Sequence, residues 1–299
     1  MRSDYLLEPC RSALNPVHGM PFKWSLNPYM GCAHRCTFCY VRAFERRADR
    51  ASDSRYGSVI RVKTNIAEVL RLELARPSWP RESVSIGAAT DPYQPAEGRF
   101  RLTRACIEVL SAARTPFSVI TRGPLVVRDL DVLTAAARRV AVSIYVSIPT
   151  VDERVWRATE PGTAPPQARL HALSELVHAG IKAGILMAPI LPGISDGAEQ
   201  LAEVLRAARA AGATSVAAML VYLKPGTREH FMAELGRVWP EERLRYERMF
   251  EGRSYLPQSA SAQLRERIAE LKRRHEIADR REHPLTPPPE SVQLELLAG

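Results

Sequence analysis

Long apolar runs are missing from this 299-residue chain. None reaches the roughly 18 consecutive residues that a membrane-spanning helix needs, so no membrane partner is expected. The opening MRSDYLLEPC has no apolar signal core, and a cytoplasmic location is expected. Cysteines are few and odd in number, five in all, and three of them fall between positions 32 and 39. That spacing is no disulfide framework and points to metal. No internal repeat with a clean motif is found. What remains is globular composition, with 45% hydrophobic and 25% charged residues. The formal net charge is +9 and the pI about 9.6. Such a surface suits nucleic acid or another polyanion, and equally suits a plain, arginine-rich solvated exterior.

Residues 1–24 carry Pro9, Pro16 and Pro21 and read as a loop-like leader packing on the body of the protein. Ser25 to Met30 is a candidate first strand, and residues 42–56, with alternating charges, read as a solvated helix or loop. Buried-strand runs follow at Ser83–Ala89, Phe117–Thr121, Ala141–Ile148, Lys182–Ala188 and Ser215–Leu220. Between them lie amphipathic stretches Ile66–Ala75, Thr103–Arg114, Asp129–Arg138, Gln167–Ala179 and Asp196–Ala211. Asp196 with Glu199 can cap the last of these, and Gly212 can close it. Strands spaced by helices predict parallel β/α units. The expected fold is therefore α/β, a partial parallel (β/α)6 TIM-like barrel over residues 25–225. A helical extension over 226–280 follows, then a flexible Pro-rich tail over 281–299. The helix expected over Ser259–Arg280 has Leu264, Ile268 and Leu271 on its packed face and a basic exposed side that includes Lys272.

The cysteine loop follows the first strand at its C-terminal end, where parallel barrels place their sites. Cys32, Cys36 and Cys39 are spaced C-x3-C-x2-C. Thiolates are soft ligands suited to iron–sulfur clusters or zinc. Three can hold three corners of a cubane and leave one iron open for chemistry. Structural zinc sites close with four ligands, as a rule in two pairs. The remaining cysteines, Cys10 and Cys106, are isolated, and Cys106 shares an apolar face with Ile107 and Leu110. His34 is the one alternative fourth ligand, inside the loop itself.

The loop, with Phe38 just before the third cysteine, resembles the signature of the radical S-adenosylmethionine (SAM) superfamily. The wider sequence is similar to its spore photoproduct lyase-like, DNA-repair-photolyase-like branch. The features that carry this are Ser25-Leu26-Asn27-Pro28-Tyr29, Thr90-Asp91-Pro92-Tyr93-Gln94-Pro95, Glu160-Pro161-Gly162-Thr163 and Ala188-Pro189-Ile190. The resemblance implies a [4Fe–4S] cluster on Cys32, Cys36 and Cys39, with SAM chelating the open iron. Reductive cleavage of SAM, with electrons from a flavodoxin or ferredoxin, would yield a 5′-deoxyadenosyl radical that takes hydrogen from a substrate. By the same resemblance Phe38 and Tyr40 lie near adenine and Thr90 near the methionine end. Arg122 meets the SAM carboxylate, Ser147 the ribose, and Ala188, Pro189 and Ile190 form an adenine wall. Glu160 is a polar contact or a turn, and Asp91 a contact or a turn cap. Thr90 and Arg122 have plainer alternatives as a turn residue and a surface arginine.

Two departures separate the chain from spore photoproduct lyase itself. The hydrogen-donating cysteine of the lyase falls at Ala88 or Ala89, which can donate none, and Phe38 lacks a tyrosine hydroxyl. Tyr40 keeps its phenol, as a hydrogen relay or as packing. The target is then nucleic acid, in DNA repair or modification, or alternatively tRNA, protein or a small molecule. A further alternative is a DNA- or clamp-associated accessory protein with a structural or redox-sensing cluster. The terminal Gln293-Leu294-Glu295-Leu296-Leu297 resembles the peptide that binds the β sliding clamp, with Gln293, Leu294, Leu296 and Leu297 as anchors on a Pro-rich linker.

Overall fold

A computed structural model describes residues 3–20 and 22–277. Four short strands open the chain, β1 (Asp4–Glu8), β2 (Leu14–Pro16), β3 (Trp24–Leu26) and β4 (Tyr29–Met30), followed by α1 (Val41–Arg47), β5 (Val59–Lys63) and α2 (Ile66–Leu74). Alternation then sets in, through β6 (Val84–Ile86), α3 (Pro95–Phe100), α4 (Leu102–Ala112), β7 (Phe117–Thr121), α5 (Leu130–Ala137) and β8 (Val142–Ser147). It continues through α6 (Glu153–Thr159), α7 (Pro166–His178), β9 (Ala183–Ile190), α8 (Ala198–Ala210) and β10 (Val216–Leu220). Helices α9 (Thr227–Val238), α10 (Pro240–Met249) and α11 (Gln258–Arg274) complete the described chain.

The main sheet has the order β10-β9-β8-β7-β6-β3-β2. Its six strands from β3 to β10 are all parallel, and β2 joins the β3 edge antiparallel. The sheet stays open, as a partial barrel of six β/α units. Its strands read as continuous apolar runs because both faces are covered; β6 and β8 are buried at every position. The main core joins Ile86, Val119, Ile144, Ile185 and Val216 of the strands to Leu70, Ile107, Leu173 and Leu205 of the helices. Cys106 is part of this core, fully buried.

Several expectations are corrected. The leader is not loop, since β1 pairs parallel with β5 and β2 pairs with β3. The first strand is not continuous from Ser25 to Met30. Pro28 interrupts it, having no N–H for a ladder, and β4 turns away to pair with β5 in a separate sheet of order β1-β5-β4. Helix α8 begins after Gly197, whose N–H donates to the Gln200 side chain at 3.1 Å. Asp196 instead accepts from the Gly193 N–H at 2.7 Å. Gly212 does close α8, at φ +81°, with Ala213 N–H returning to Ala208 O. Helix α11 packs on α8 and β10 through Leu264 and Ile268, but it ends at Arg274, and Lys272 is buried rather than exposed. The expected clamp-binding anchors at 293–297 lie outside the described residues.

Candidate active site

The cysteine loop leaves β4 and runs over the C-terminal ends of the parallel strands. Side chains from the turn after β6 grip it. Thr90 Oγ1 donates to Gly31 O at 2.6 Å, and Gln94 donates to Gly31 O while accepting from the Ala33 N–H at 2.9 Å. Asn27 Oδ1 returns the grip by accepting from the Ala89 N–H at 2.8 Å. The turn after α6 braces the other side, with Thr37 N–H donating to Thr159 O and Gly162 N–H to His34 O. A Cβ on Gly162 would stand 2.4 Å from Ala33 O, so only glycine fits there. Gly57, at φ +78°, has the same constraint against Cys32 O.

Arg42 organises the loop from below. It was expected on a solvated face, yet it is 1% exposed. Its guanidinium donates to the carbonyls of Arg35, Cys36, Ser52 and Asp53 and lies 4.5 Å above the Tyr56 ring. Tyr56 in turn places its hydroxyl 3.7 Å from Cys39 Sγ. The residues 42–56 are therefore a cradle for the loop.

Cys32 and Cys36 are buried, Cys39 is half-buried, and none is in a disulfide. Burial pushes the Cys36 and Cys39 thiols up, because desolvation penalises the thiolate. A bound metal reverses that penalty with its own charge. Three braced, unpaired soft donors on one loop fit an iron–sulfur cluster. Among the described residues, no three His, Cys, Asp or Glu side chains converge on a single ion position. His34, the alternative fourth ligand, has Nδ1 at 3.3 Å from Asp91 Oδ2, an ion-pair contact without hydrogen-bond alignment. Burial opposes its charge, but Asp91 and Cys32 push its pKa up to about 10.

Asp91 is a hub for the turn. It accepts from the Tyr93 N–H, the Thr121 hydroxyl and the Arg122 N–H. Against burial, His34 and these donors hold its carboxyl at about 2. Arg122 is no surface arginine. It donates through Nε to Glu160 at 2.5 Å and through Nη2 to Ala188 O at 2.8 Å, and its guanidinium lies 5.6 Å from the Phe38 ring centroid. Glu160, fully buried, also accepts from Arg169, which is buried to the same degree and reaches Ser147 O and Thr163 Oγ1 as well. Arg122, Glu160, Ser147 and Ala188 thus meet through one polar network at the ends of β7, β8 and β9. Pro189, in a cis peptide with Ala188, and buried Ile190 continue that rim.

Phe38 packs in a second apolar cluster with Cys36, Leu191, Val221, Phe231 and Phe250, which seals the loop under α9 and α10. Tyr40 donates its hydroxyl to Ala88 O. Ala89, like Cys39 and Tyr40, packs against the small apolar cluster of Cys32, Val41 and Tyr56. Tyr40 also begins an aromatic row, with Tyr222 at 5.8 Å and Tyr255 5.3 Å beyond it.

Arg42, Arg169 and Tyr222 stand outside every sequence motif, and Gln94 stands within one with no role of its own assigned to it. Arg169 did leave a trace. It lies one helical turn from Leu173 on the buried stripe of α7, where a cation is out of place unless paired.

A family model described as the Radical SAM superfamily matches residues 26–207. The chain belongs to this superfamily. A relative, the uncharacterized protein Mb2609c of Mycobacterium bovis, is 41% identical over 93% of this chain and 82% of its own. A radical SAM Nalpha-GlyT isomerase of Pseudomonas phage M6 is 28% identical over 56% of this chain and 33% of its own. Among solved structures, spore photoproduct lyase with bound AdoMet and dinucleoside spore photoproduct superposes at TM-score 0.68. It covers 91% of this chain and 79% of the lyase at 17% identity, which supports the same fold and not the same enzyme. The chain is thus a radical SAM enzyme of partial-barrel fold.

Proposed function

We propose that this radical SAM enzyme carries a [4Fe–4S] cluster on Cys32, Cys36 and Cys39 and acts on nucleic acid, in repair or modification. When bound, the cluster supplies the electron that cleaves SAM to methionine and a hydrogen-abstracting 5′-deoxyadenosyl radical. The observation that carries the reading is the three-thiol loop, braced from four sides at the strand ends, with Arg122 anchored beside it.

The protein's part is to bind, orient and exclude. Arg122 has Nε and Nη2 committed to Glu160 and Ala188 O, which fixes the guanidinium and leaves Nη1 to meet the SAM carboxylate. Ser147, Ala188, Pro189 and Ile190 are the wall for adenosine, and Thr90 and Asp91 keep the loop and the Arg122 backbone in register. The cluster around Phe38 and Phe231 keeps water from the loop's inner side. Tyr40 holds a phenolic hydrogen at its bond to Ala88 O, beside two alanines that have none to give.

A nucleic-acid target is supported by the net charge of +9 and by the dinucleoside held in the lyase. A flavodoxin or ferredoxin is the fitting reductant, and a clamp-binding role for Gln293, Leu294, Leu296 and Leu297 is testable with a peptide of residues 287–299. Anaerobic reconstitution followed by dithionite and SAM tests the enzyme. Release of 5′-deoxyadenosine is expected, and Cys36→Ala should lose both cluster absorbance and cleavage. A cluster that forms without cleaving SAM would assign a structural or redox-sensing role instead.

A further inference from the structure

The aromatic row that starts at the cysteine loop ends in solvent. Tyr40 follows Cys39 directly, and its ring is tilted 31° against Tyr222. Tyr222 and Tyr255 are stacked, with 20° between their planes. Tyr255 is 58% exposed, and Phe44, edge-on to Tyr40, is 40% exposed. The outer tyrosine does not sit on a loose loop. Leu223 N–H donates to Ser254 O at 2.8 Å, and Leu256 packs into the apolar cluster under α9 and α10. Both chain neighbours of Tyr255 are therefore fixed while its ring faces water.

A ring with one face against Tyr222 and the remainder open can extend the stack by one more planar group. A cation stands at the inner end of the row, where Arg47 lies 5.0 Å from the centroid of Phe44, the ring edge-on to Tyr40. Stacked aromatics beside positive charge are how proteins hold unpaired bases and the phosphates between them. The distance along the row sets which base this is. Tyr255 is two ring spacings from Tyr40, too far out for the group that reacts at the loop.

We propose that Tyr255, backed by Tyr222, is a stacking platform for the nucleobase flanking the one that reacts, with Arg47 taking a backbone phosphate at the inner end of the row. The proposal rests on the nucleic-acid reading of the site.

The test uses the reconstituted full chain and a single-stranded DNA oligonucleotide carrying 2-aminopurine, whose fluorescence is quenched on stacking. The wild type and Tyr255→Phe should quench the probe and bind alike. Tyr255→Leu, apolar but not planar, should lose the quench and weaken binding about tenfold or more. Circular dichroism confirms that each variant is folded. Wild-type quench and affinity in Tyr255→Leu would overturn the platform. SAM cleavage measured in the same preparations separates the two ideas. Cleavage without any oligonucleotide binding overturns the platform and leaves the radical SAM enzyme standing. Tyr255-dependent quenching without cleavage would keep the stacking contact but overturn its place beside a reacting base.

Discussion

Glu160 carries its carboxylate where no water reaches, between the guanidinium of Arg169 and that of Arg122. Taking a carboxylate and a guanidinium out of water costs several kcal/mol each, so the arrangement holds only while every partner is present. Arg169 alone makes bonds to Glu160, Ser147 O, Ala164 O and Thr163 Oγ1. Arg169→Met should therefore destabilise the protein by about 3–5 kcal/mol, read as a lower urea midpoint. Arg169→Lys should recover only part of that, because an ammonium lacks the planar fork that serves four acceptors. A midpoint within error of wild type for Arg169→Met would refute the assignment. The same variant should lower affinity for SAM, since Arg122 is oriented by the carboxylate that Arg169 holds.

At the scale of elements, α9 and α10 close the site from the side the open sheet leaves bare. Thr227 Oγ1 donates to Cys39 O at 3.0 Å, and Phe231, 2% exposed, packs on the Tyr246 ring at 5.5 Å. Phe231→Ala should cost about 3–5 kcal/mol through the cavity it leaves. It should also hasten the loss of cluster absorbance in air, because water and oxygen gain a path to the loop. A variant that loses stability but not air resistance would show that α9 only supports the fold.

How much of this was legible depended on how local the cause was. The parallel strands and the helices between them show in the sequence because each buries a face set by its own spacing; β7 falls on Phe117–Thr121 as its apolar run implies. The strands β1, β2 and β5 were not legible, because strands this short are chosen by the partners they meet and not by their own pattern. The three cysteines proposed as ligands stand out by their spacing alone. Arg42 does not, because among Arg46, Arg47 and Arg50 it looks like one more solvated charge, and only the carbonyls it meets distinguish it.

At the scale of the whole molecule, the charge of +9 has a measurable consequence. Phosphate contacts release counterions, so binding to an oligonucleotide should weaken steadily between about 50 and 200 mM salt, with a linear log–log plot. Tyr255→Leu should shift that line without changing its slope, since stacking displaces no counterions. Arg47→Ala should flatten the slope. A salt-independent affinity would place the basic surface outside recognition.

The bonds that brace the cysteine loop also set an order in time. Cys32, Cys36 and Cys39 are made well before two of the groups that hold their loop. Thr159 is 122 positions beyond Thr37, and Thr227 is 188 beyond Cys39. A growing chain therefore carries the three thiols on a loop that only its near neighbours, such as Arg42 and Tyr56, can yet restrain. Until the turn after α6 and the start of α9 have emerged, protection of those thiols falls to the reducing power of their surroundings rather than to the fold.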